Sequence, residues 1–161
     1  MTGKKRMPAL PEGYEGMAEN VDAILQAFVA AGSETAPCHV ENSLSNFLLG
    51  PDGAVLVVDF DRAANSDPLS DLGSLCNEFC RTDDDLSQAV EIYAGQVSKD
   101  VLARVKLHMI LSAFCWGLWG KISQAMTGRN EIEFFKYGEN QFIRCAWLLS
   151  HWDAWQLIRE I

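Results

Sequence analysis

Pro51-Asp52-Gly53 lies between two short apolar runs, Phe47-Leu48-Leu49 and Val55-Leu56-Val57-Val58, and this limits the fold more than any other feature of the chain. Proline, aspartate and glycine favour a turn, and the runs on either side have the length and composition of strands, so the segment reads as a β-hairpin. Around it the period becomes helical. Val21, Ile24, Leu25, Phe28 and Val29 recur at helical spacing between Met17 and Ala31, and Gly32 follows as a C-terminal cap. Asp67-Pro68 opens a second helix, with Asp67 as cap and Leu69, Leu72, Leu75, Cys76 and Phe79 on one face. Thr82 to Asp85 ends it and caps a third, Leu86 to Tyr93. Ser98 caps a long fourth helix that reaches the region of Met126, stopped by Thr127-Gly128. A last helix is expected from Glu131 to Arg159, with Gly138 as its weak point. Residues 1–16 read as an irregular tail and 17–161 as one lobe. The expected class is α+β, predominantly helical, with one small hairpin.

Polar residues bracket the hairpin. His39-x-Glu41-x4-Asn46 precedes it, and Asp59-Phe60-Asp61 follows directly from the second apolar run. His-x-Glu-x4-Asn alone would recur often by chance. A loop, a hairpin and then an acidic pair in that order is a more specific constellation, and the context carries the weight.

That constellation resembles the catalytic loop, hairpin and metal-binding segment of the aminoglycoside-phosphotransferase and choline-kinase superfamily, whose pattern is His-x-Asp-x4-Asn and then an apolar strand ending in Asp-Phe/Trp-Glu/Asp. The resemblance implies phosphoryl transfer, a reaction that rests on positioning and charge neutralisation. In the family's arrangement, position 41 would be the base that orients the acceptor hydroxyl and takes its proton. Asn46 and Asp59 would hold Mg²⁺, a hard cation that needs only one or two protein carboxylates. His39 would support the loop. Asp71-Leu72-Gly73 fits the family's Asp-[Leu/Ile]-Gly/Ala, whose aspartate braces the catalytic loop from below; by residue type alone it is a helix aspartate facing water.

Three further segments narrow the resemblance towards choline and ethanolamine kinases. Glu78 lies two helical turns beyond Asp71 and so projects from the same side. At that offset the family has a glutamate facing the substrate's cationic head, although a surface glutamate would read the same. Phe114-Cys115-Trp116-Gly117-Leu118-Trp119-Gly120 is similar to the Trp-x-Leu-Trp-Gly of those kinases. Trp116 and Trp119 share one helix face. With a carboxylate they would form an aromatic cage for a quaternary ammonium, each contact contributing about 0.5–2 kcal/mol; the plain alternative is core packing. Tyr137 matches an aromatic near the acceptor pocket, or is a packing tyrosine. ATP and Mg²⁺ are the implied cofactors, and choline or ethanolamine the implied acceptor.

The chain departs from the family in three places. The expected catalytic aspartate is Glu41. Its extra methylene moves the carboxylate by about an ångström, and a misplacement of that order costs roughly a hundredfold in rate. Arg62 stands where an aromatic is usual and sets a cation near the supposed cationic-acceptor pocket, unless Asp61 or Asp67 pairs with it. The residues ahead of the loop hold no Gly-x-Gly-x-x-Gly and no Val-Ala-x-Lys-like strand. The resemblance therefore covers a C-terminal lobe, with no N-terminal ATP lobe. On these grounds the chain alone is expected to be inactive. One reading is a kinase lobe complemented by an ATP lobe, from a separate chain or from a part of the gene absent here. The alternative is a non-catalytic binding or dimerisation module, a pseudokinase-like remnant, with a homodimer as its partner.

Charge and cysteine usage exclude other classes. The net charge is −9 and the chain offers no basic stripe, which argues against nucleic acid. The one basic run is Lys4-Lys5-Arg6 in the tail. Five cysteines form no CxxC pair, so buried free thiols in a reducing compartment are expected rather than a zinc site. No apolar leader precedes the first helix, and Met109 to Trp119 is too short to span a bilayer. A cytoplasmic protein without membrane insertion is the expectation.

Overall fold

A computed structural model describes residues 9–127 and 133–161. The chain forms α1 (Tyr14–Ala31), β1 (Ala36–Cys38), a 3-10 turn (Leu44–Asn46), β2 (Phe47–Leu49), β3 (Val55–Val57), β4 (Ala64–Ser66), α2 (Pro68–Phe79), α3 (Asp83–Ala94), α4 (Lys99–Met126), α5 (Phe134–His151) and α6 (Ala154–Ile158). The predominantly helical α+β class is as the sequence implies.

β2 and β3 form the expected antiparallel hairpin, with Phe47 opposite Val57 and Leu49 opposite Val55. Its turn closes through Gly50 N–H donating to the Ala54 carbonyl at 2.7 Å, and Gly53 takes the left-handed φ of 81° that the turn requires. A second ladder was not legible in the sequence. β1 pairs antiparallel with β4, Ala36 opposite Ser66 and Cys38 opposite Ala64. Three-residue strands of Ala-Pro-Cys and Ala-Asn-Ser carry no alternation to read. This ladder clamps the two ends of the 39–63 segment side by side.

The helices pack around α4. Its residues Val105, Leu107, Ile110 and Ala113 are fully buried, against α2 on one side and α5 on another. Ile24 of α1, Cys76 of α2, Val90 of α3 and Cys145 and Leu148 of α5 complete the same core. By length and composition alone, the 28-residue α4 is apolar enough to cross a membrane, longer than the apolar stretch suggested. Half of its apolar window is buried, as suits the central helix of the lobe.

Asp67 performs several tasks at once. It caps α2 through Leu69 N–H at 2.9 Å, and its other oxygen accepts from Arg104 Nε at 2.6 Å and lies 3.0 Å from His108 Nε2. Arg104 also donates to the Gly32 carbonyl at 2.8 Å and lies over the Phe28 ring. One half-buried carboxylate thus ties the end of α1 and the start of α2 to α4.

Three expectations need correction. The tail ends sooner than residue 16, since α1 starts at Tyr14, whose ring stacks on Phe114 at 5.6 Å. The last helix is not continuous. It breaks at Trp152-Asp153, where the Asp153 side chain accepts from the Trp155 and Gln156 backbone and caps α6. The stop at Gly128 and the start at Glu131 lie outside the described residues, as does the Lys4-Lys5-Arg6 run. Gly138 is no weak point either. A Cβ on Gly120 would come within 2.7 Å of Gly138 Cα, so the glycines let α4 and α5 cross with backbones in contact.

The cysteines are free. Cys38, Cys76, Cys80 and Cys145 are buried, and Cys115 is the exception, exposed on α4.

Candidate functional site

The loop after β1 is held from beneath by α2. The Asp71 carboxylate accepts His39 N–H at 2.6 Å and Val40 N–H at 2.9 Å. Val40 has φ 71°, a left-handed conformation that a β-branched residue rarely adopts. The His39 ring lies 2.8 Å from the Val58 carbonyl through Nε2 and meets the edge of Phe60 with centroids 4.7 Å apart. Donation from Nε2 leaves Nδ1 as a buried acceptor without a partner. His39 and Asp71 therefore shape the loop, and neither lines the cavity that the loop borders.

Glu41, Asn46 and Asp59 do line that cavity. Asn46 donates Nδ2–H to the Glu41 carbonyl at 2.9 Å, which leaves its Oδ1, with the Ser45 hydroxyl 3.5 Å away, as the acceptor end. Asp59, like Val40, is a non-glycine residue in the left-handed region, with φ 68°. An amide oxygen and a carboxylate on one wall are hard oxygen donors suited to Mg²⁺, which keeps most of its shell as water or phosphate oxygen. Among the described residues there is no cluster of three His, Cys, Asp or Glu that would form an all-protein metal cage. That donor set fits a Mg²⁺ shared with phosphate better than a closed structural site. Among the described residues, no hydrogen bond holds the Glu41 carboxylate.

The facing wall comes from α2, α4 and α5. Glu78, Trp116, Trp119 and Tyr137 line the same cavity of about 310 Å³. The rings form a mutually edge-on cluster: Trp116 to Trp119 at 5.5 Å, Trp119 to Tyr137 at 5.7 Å and Trp116 to Tyr137 at 6.4 Å. Phe134 supports Trp119 from behind at 5.3 Å. Trp119 is 41% exposed and Tyr137 37%, so the two are not sealed into the core. Burial pushes the Tyr137 phenol up to about 12, with the charges of Glu78 and Glu41 acting in the same direction and a hydrogen bond from Gln141 against it. Glu78 also accepts a long hydrogen bond from Leu44 N–H at 3.4 Å, which ties α2 to the 3-10 turn.

Arg62 does not find the carboxylate partner that the sequence suggested. Asp67 is committed to Arg104 and His108, and Arg62 instead lies over the Trp116 ring with its guanidinium carbon 5.4 Å from the centroid. It lines an adjoining cavity with Ser66, His108 and Cys115, not the one that holds Glu41 and Glu78.

Sequence reasoning missed several polar residues of the site. Asn42, Asn77 and Gln141 line the cavity, and Asn42 Nδ2 and Asn77 Oδ1 are buried polar atoms without a partner. Asn77 donates Nδ2–H to the Met109 carbonyl at 2.8 Å, which fixes its oxygen as the free end. Their neighbours Glu41 and Glu78 were the only signal available.

A family model described as the phosphotransferase enzyme family matches residues 3–108. No curated protein matches the chain. Among solved structures, the chain is similar to a choline/ethanolamine kinase family protein from Mesorhizobium loti, at 25% identity and a TM-score of 0.85, covering 95% of this chain and 52% of that one. It is also similar to choline kinase LicA from Streptococcus pneumoniae, at 23% identity and 0.68, covering 91% and 50%. A structure of LicA in complex with AMP aligns at 22% identity and 0.70, covering 90% and 50%. The LicA likenesses speak to the fold. The chain spans about half the length of these structures.

Proposed function

The chain belongs to the phosphotransferase enzyme family, and from that premise we propose that it is the acceptor- and metal-binding lobe of a choline/ethanolamine kinase-like phosphotransferase. It would act on the hydroxyl of a small cationic acceptor when a nucleotide-binding lobe stands opposite. The observation that carries this reading is that Glu41, Asn46 and Asp59 on the loop side and Glu78, Trp116, Trp119 and Tyr137 on the helix side border one cavity. The two halves of the reaction need such an arrangement: an acceptor held by its cationic end, with its hydroxyl presented to a base and to the phosphates.

In this reading each residue has a distinct task. The ring cluster and Glu78 bind and orient the cationic head. Glu41 accepts the hydroxyl proton through its carboxylate. Asn46 Oδ1 and Asp59 would hold Mg²⁺, which would supply charge neutralisation for the phosphates of ATP. Asp71 and His39 keep the loop in shape. The cytoplasm, where ATP is abundant, suits this chemistry.

One observation favours a second reading, a non-catalytic binding or dimerisation module. The Glu41 side chain is one methylene longer than the expected aspartate, and no described residue hydrogen-bonds its carboxylate into place. The exposed apolar hairpin, with Leu49 at 77% and Leu56 at 60%, gives such a module a surface for a second chain.

Calorimetry with choline tests the pocket. Binding that is lost in Trp116→Ala supports the cage, and no heat at millimolar choline sinks it. Turnover of Mg-ATP with choline or ethanolamine separates the two readings. Activity abolished by Asp59→Asn selects the phosphotransferase, and choline binding without turnover selects the module.

A further inference from the structure

We propose that the groove lined by Arg81 and Arg144 is an anion-binding subsite continuous with the acceptor pocket, positioned to take the carboxylate or phosphate of an acceptor whose other end lies against Glu78 and the ring cluster. The proposal rests on the acceptor-pocket reading above and narrows its substrate class.

The groove has a volume of about 620 Å³ and shares Asn77, Glu78 and Gln141 with the acceptor cavity. Arg81 follows the end of α2 and Arg144 projects from α5, so two separate elements bring their guanidinium groups to one space, beside Trp147. Both arginines also line the next cavity, of about 300 Å³, whose one carboxylate, Asp83, lies 3.5 Å from Lys106 Nζ.

Among the described residues neither guanidinium forms an ion pair or a hydrogen bond, although the charge of Asp85 acts on Arg81 and that of Glu78 on Arg144. Arg104, Lys106, Lys121 and Lys136 each meet a carboxylate. Two like charges on one groove oppose each other, and water screens the half-buried Arg144 less than the exposed Arg81. Burial first, and then the charge of Arg81, hold Arg144 below the ordinary guanidinium range, while Glu78 acts the other way. An oxyanion between the two would relieve that repulsion and accept the planar donor forks that arginine presents.

The junction has the opposite polarity. Asn77 is 6% exposed, its Oδ1 lacks a donor, and Glu78 lies beside it. Acceptors therefore stand at the shared wall and donors at the outer end. That gradient matches a small zwitterion: a cationic or hydroxyl end inward and an anionic end outward. Choline itself would leave the outer end unused.

Three probes separate the elements of the idea when titrated into the full chain by calorimetry, with the arginine Nε–Hε and indole signals followed by NMR. L-carnitine carries a hydroxyl, a quaternary ammonium and a carboxylate; choline lacks the anion; glycerol 3-phosphate lacks the cation. Carnitine should bind about tenfold tighter than choline and shift the Arg81 and Arg144 signals, with the advantage lost in Arg81→Gln and in Arg144→Gln and shrinking as salt is raised. Shifts of the same signals by glycerol 3-phosphate, stronger than those by carnitine, would assign the subsite to phosphate rather than carboxylate. Choline binding with neither anion moving the arginine signals overturns the subsite and leaves the acceptor pocket standing. Arginine shifts with the anions, but no choline binding and no response at Trp116, uphold the subsite and remove the cationic pocket instead. Arg81 is an exposed position, so Arg81→Gln keeps the test valid should Arg144→Gln fail to fold.

Discussion

One oxygen of the Asp71 carboxylate accepts the backbone hydrogen of Val40 at 2.9 Å, and Val40 between its neighbours holds a left-handed φ of 71°. The other oxygen takes the His39 N–H at 2.6 Å. A β-branched residue in that region costs on the order of 1–3 kcal/mol and persists only where its surroundings over-determine it. Here the first turn of α2 supplies that constraint to the loop bearing Glu41.

Removing the brace should therefore destabilise the fold and free the loop. Asp71→Ala is expected to cost about 2–4 kcal/mol, since it leaves two backbone donors without their charged acceptor. Adding Val40→Gly should recover part of that loss, because glycine occupies the left-handed region without strain. Urea unfolding of the single and double variants measures both effects. A loss under about 0.5 kcal/mol in Asp71→Ala, the range of an ordinary surface change, would mean that the loop holds its own shape.

The α4–α5 crossing makes a contrasting pair. Gly120→Ala would force a Cβ to within 2.7 Å of the Gly138 backbone, and separating the helices should cost about 1–3 kcal/mol or more. Gly16, inside α1, meets nothing within 4 Å, so Gly16→Ala should stabilise by about 0.5–1 kcal/mol through helix propensity. Thermal melts of the two variants should move in opposite directions.

Acid should weaken the fold through His108. Burial holds its pKa below the usual value, against the pull of Asp67, so the unfolded chain binds the proton more tightly than the native one. The contribution is complete above about pH 6.5, the unfolded value, and is lost as pH falls below it. Asp67, held low by Arg104 and His108 against the effect of burial, loses its own contribution further down, below about pH 4. Denaturant midpoints between pH 7 and 5 should fall, and His108→Asn should flatten that slope even though it lowers overall stability.

Tyr137 reports on the pocket wall. Its phenol is raised to about 12 by burial, with Glu78 adding to the effect. In Glu78→Gln the ring-carbon titration followed by NMR should move to lower pH. An unchanged titration would place the Glu78 charge too far from the phenol to act on it.

Metal affinity offers a direct check on the loop-side wall. Mn²⁺ added with a nucleotide should broaden amide signals around Asn46 and Asp59 before those elsewhere, and Asp59→Asn should abolish the selectivity. Uniform broadening would remove these two residues from any metal role.

Local signals explain which elements could be read in advance. Gly32, Asp67 and Thr82 end or begin helices through bonds to atoms within a few residues of themselves, and the Pro51-Asp52-Gly53 turn closes within five residues. The break before α6 had its signal too, since Asp153 is a good cap, but the apolar and tryptophan-rich run around it reads as continuous helix. The β1–β4 ladder had none: its partners are more than two dozen residues apart and carry no strand pattern. For the site, Glu41, Asn46, Asp59 and the Trp116/Trp119 pair could be read because each belongs to a short spaced motif. Asn42, Asn77, Gln141, Arg81 and Arg144 belong to no motif, and only packing brings them to the cavities.

The family of the chain and the spaced motif of its loop can be read from residue order alone, because turn formers, caps and motif spacings act over a few bonds. The shared cavity does not. It exists because the Gly120–Gly138 crossing lets α5 lie on α4, bringing Tyr137 to Trp119, and because Asp71 holds the loop so that Glu41 faces them across the gap. Those distances depend on backbone approach between helices remote in sequence, which no local pattern encodes.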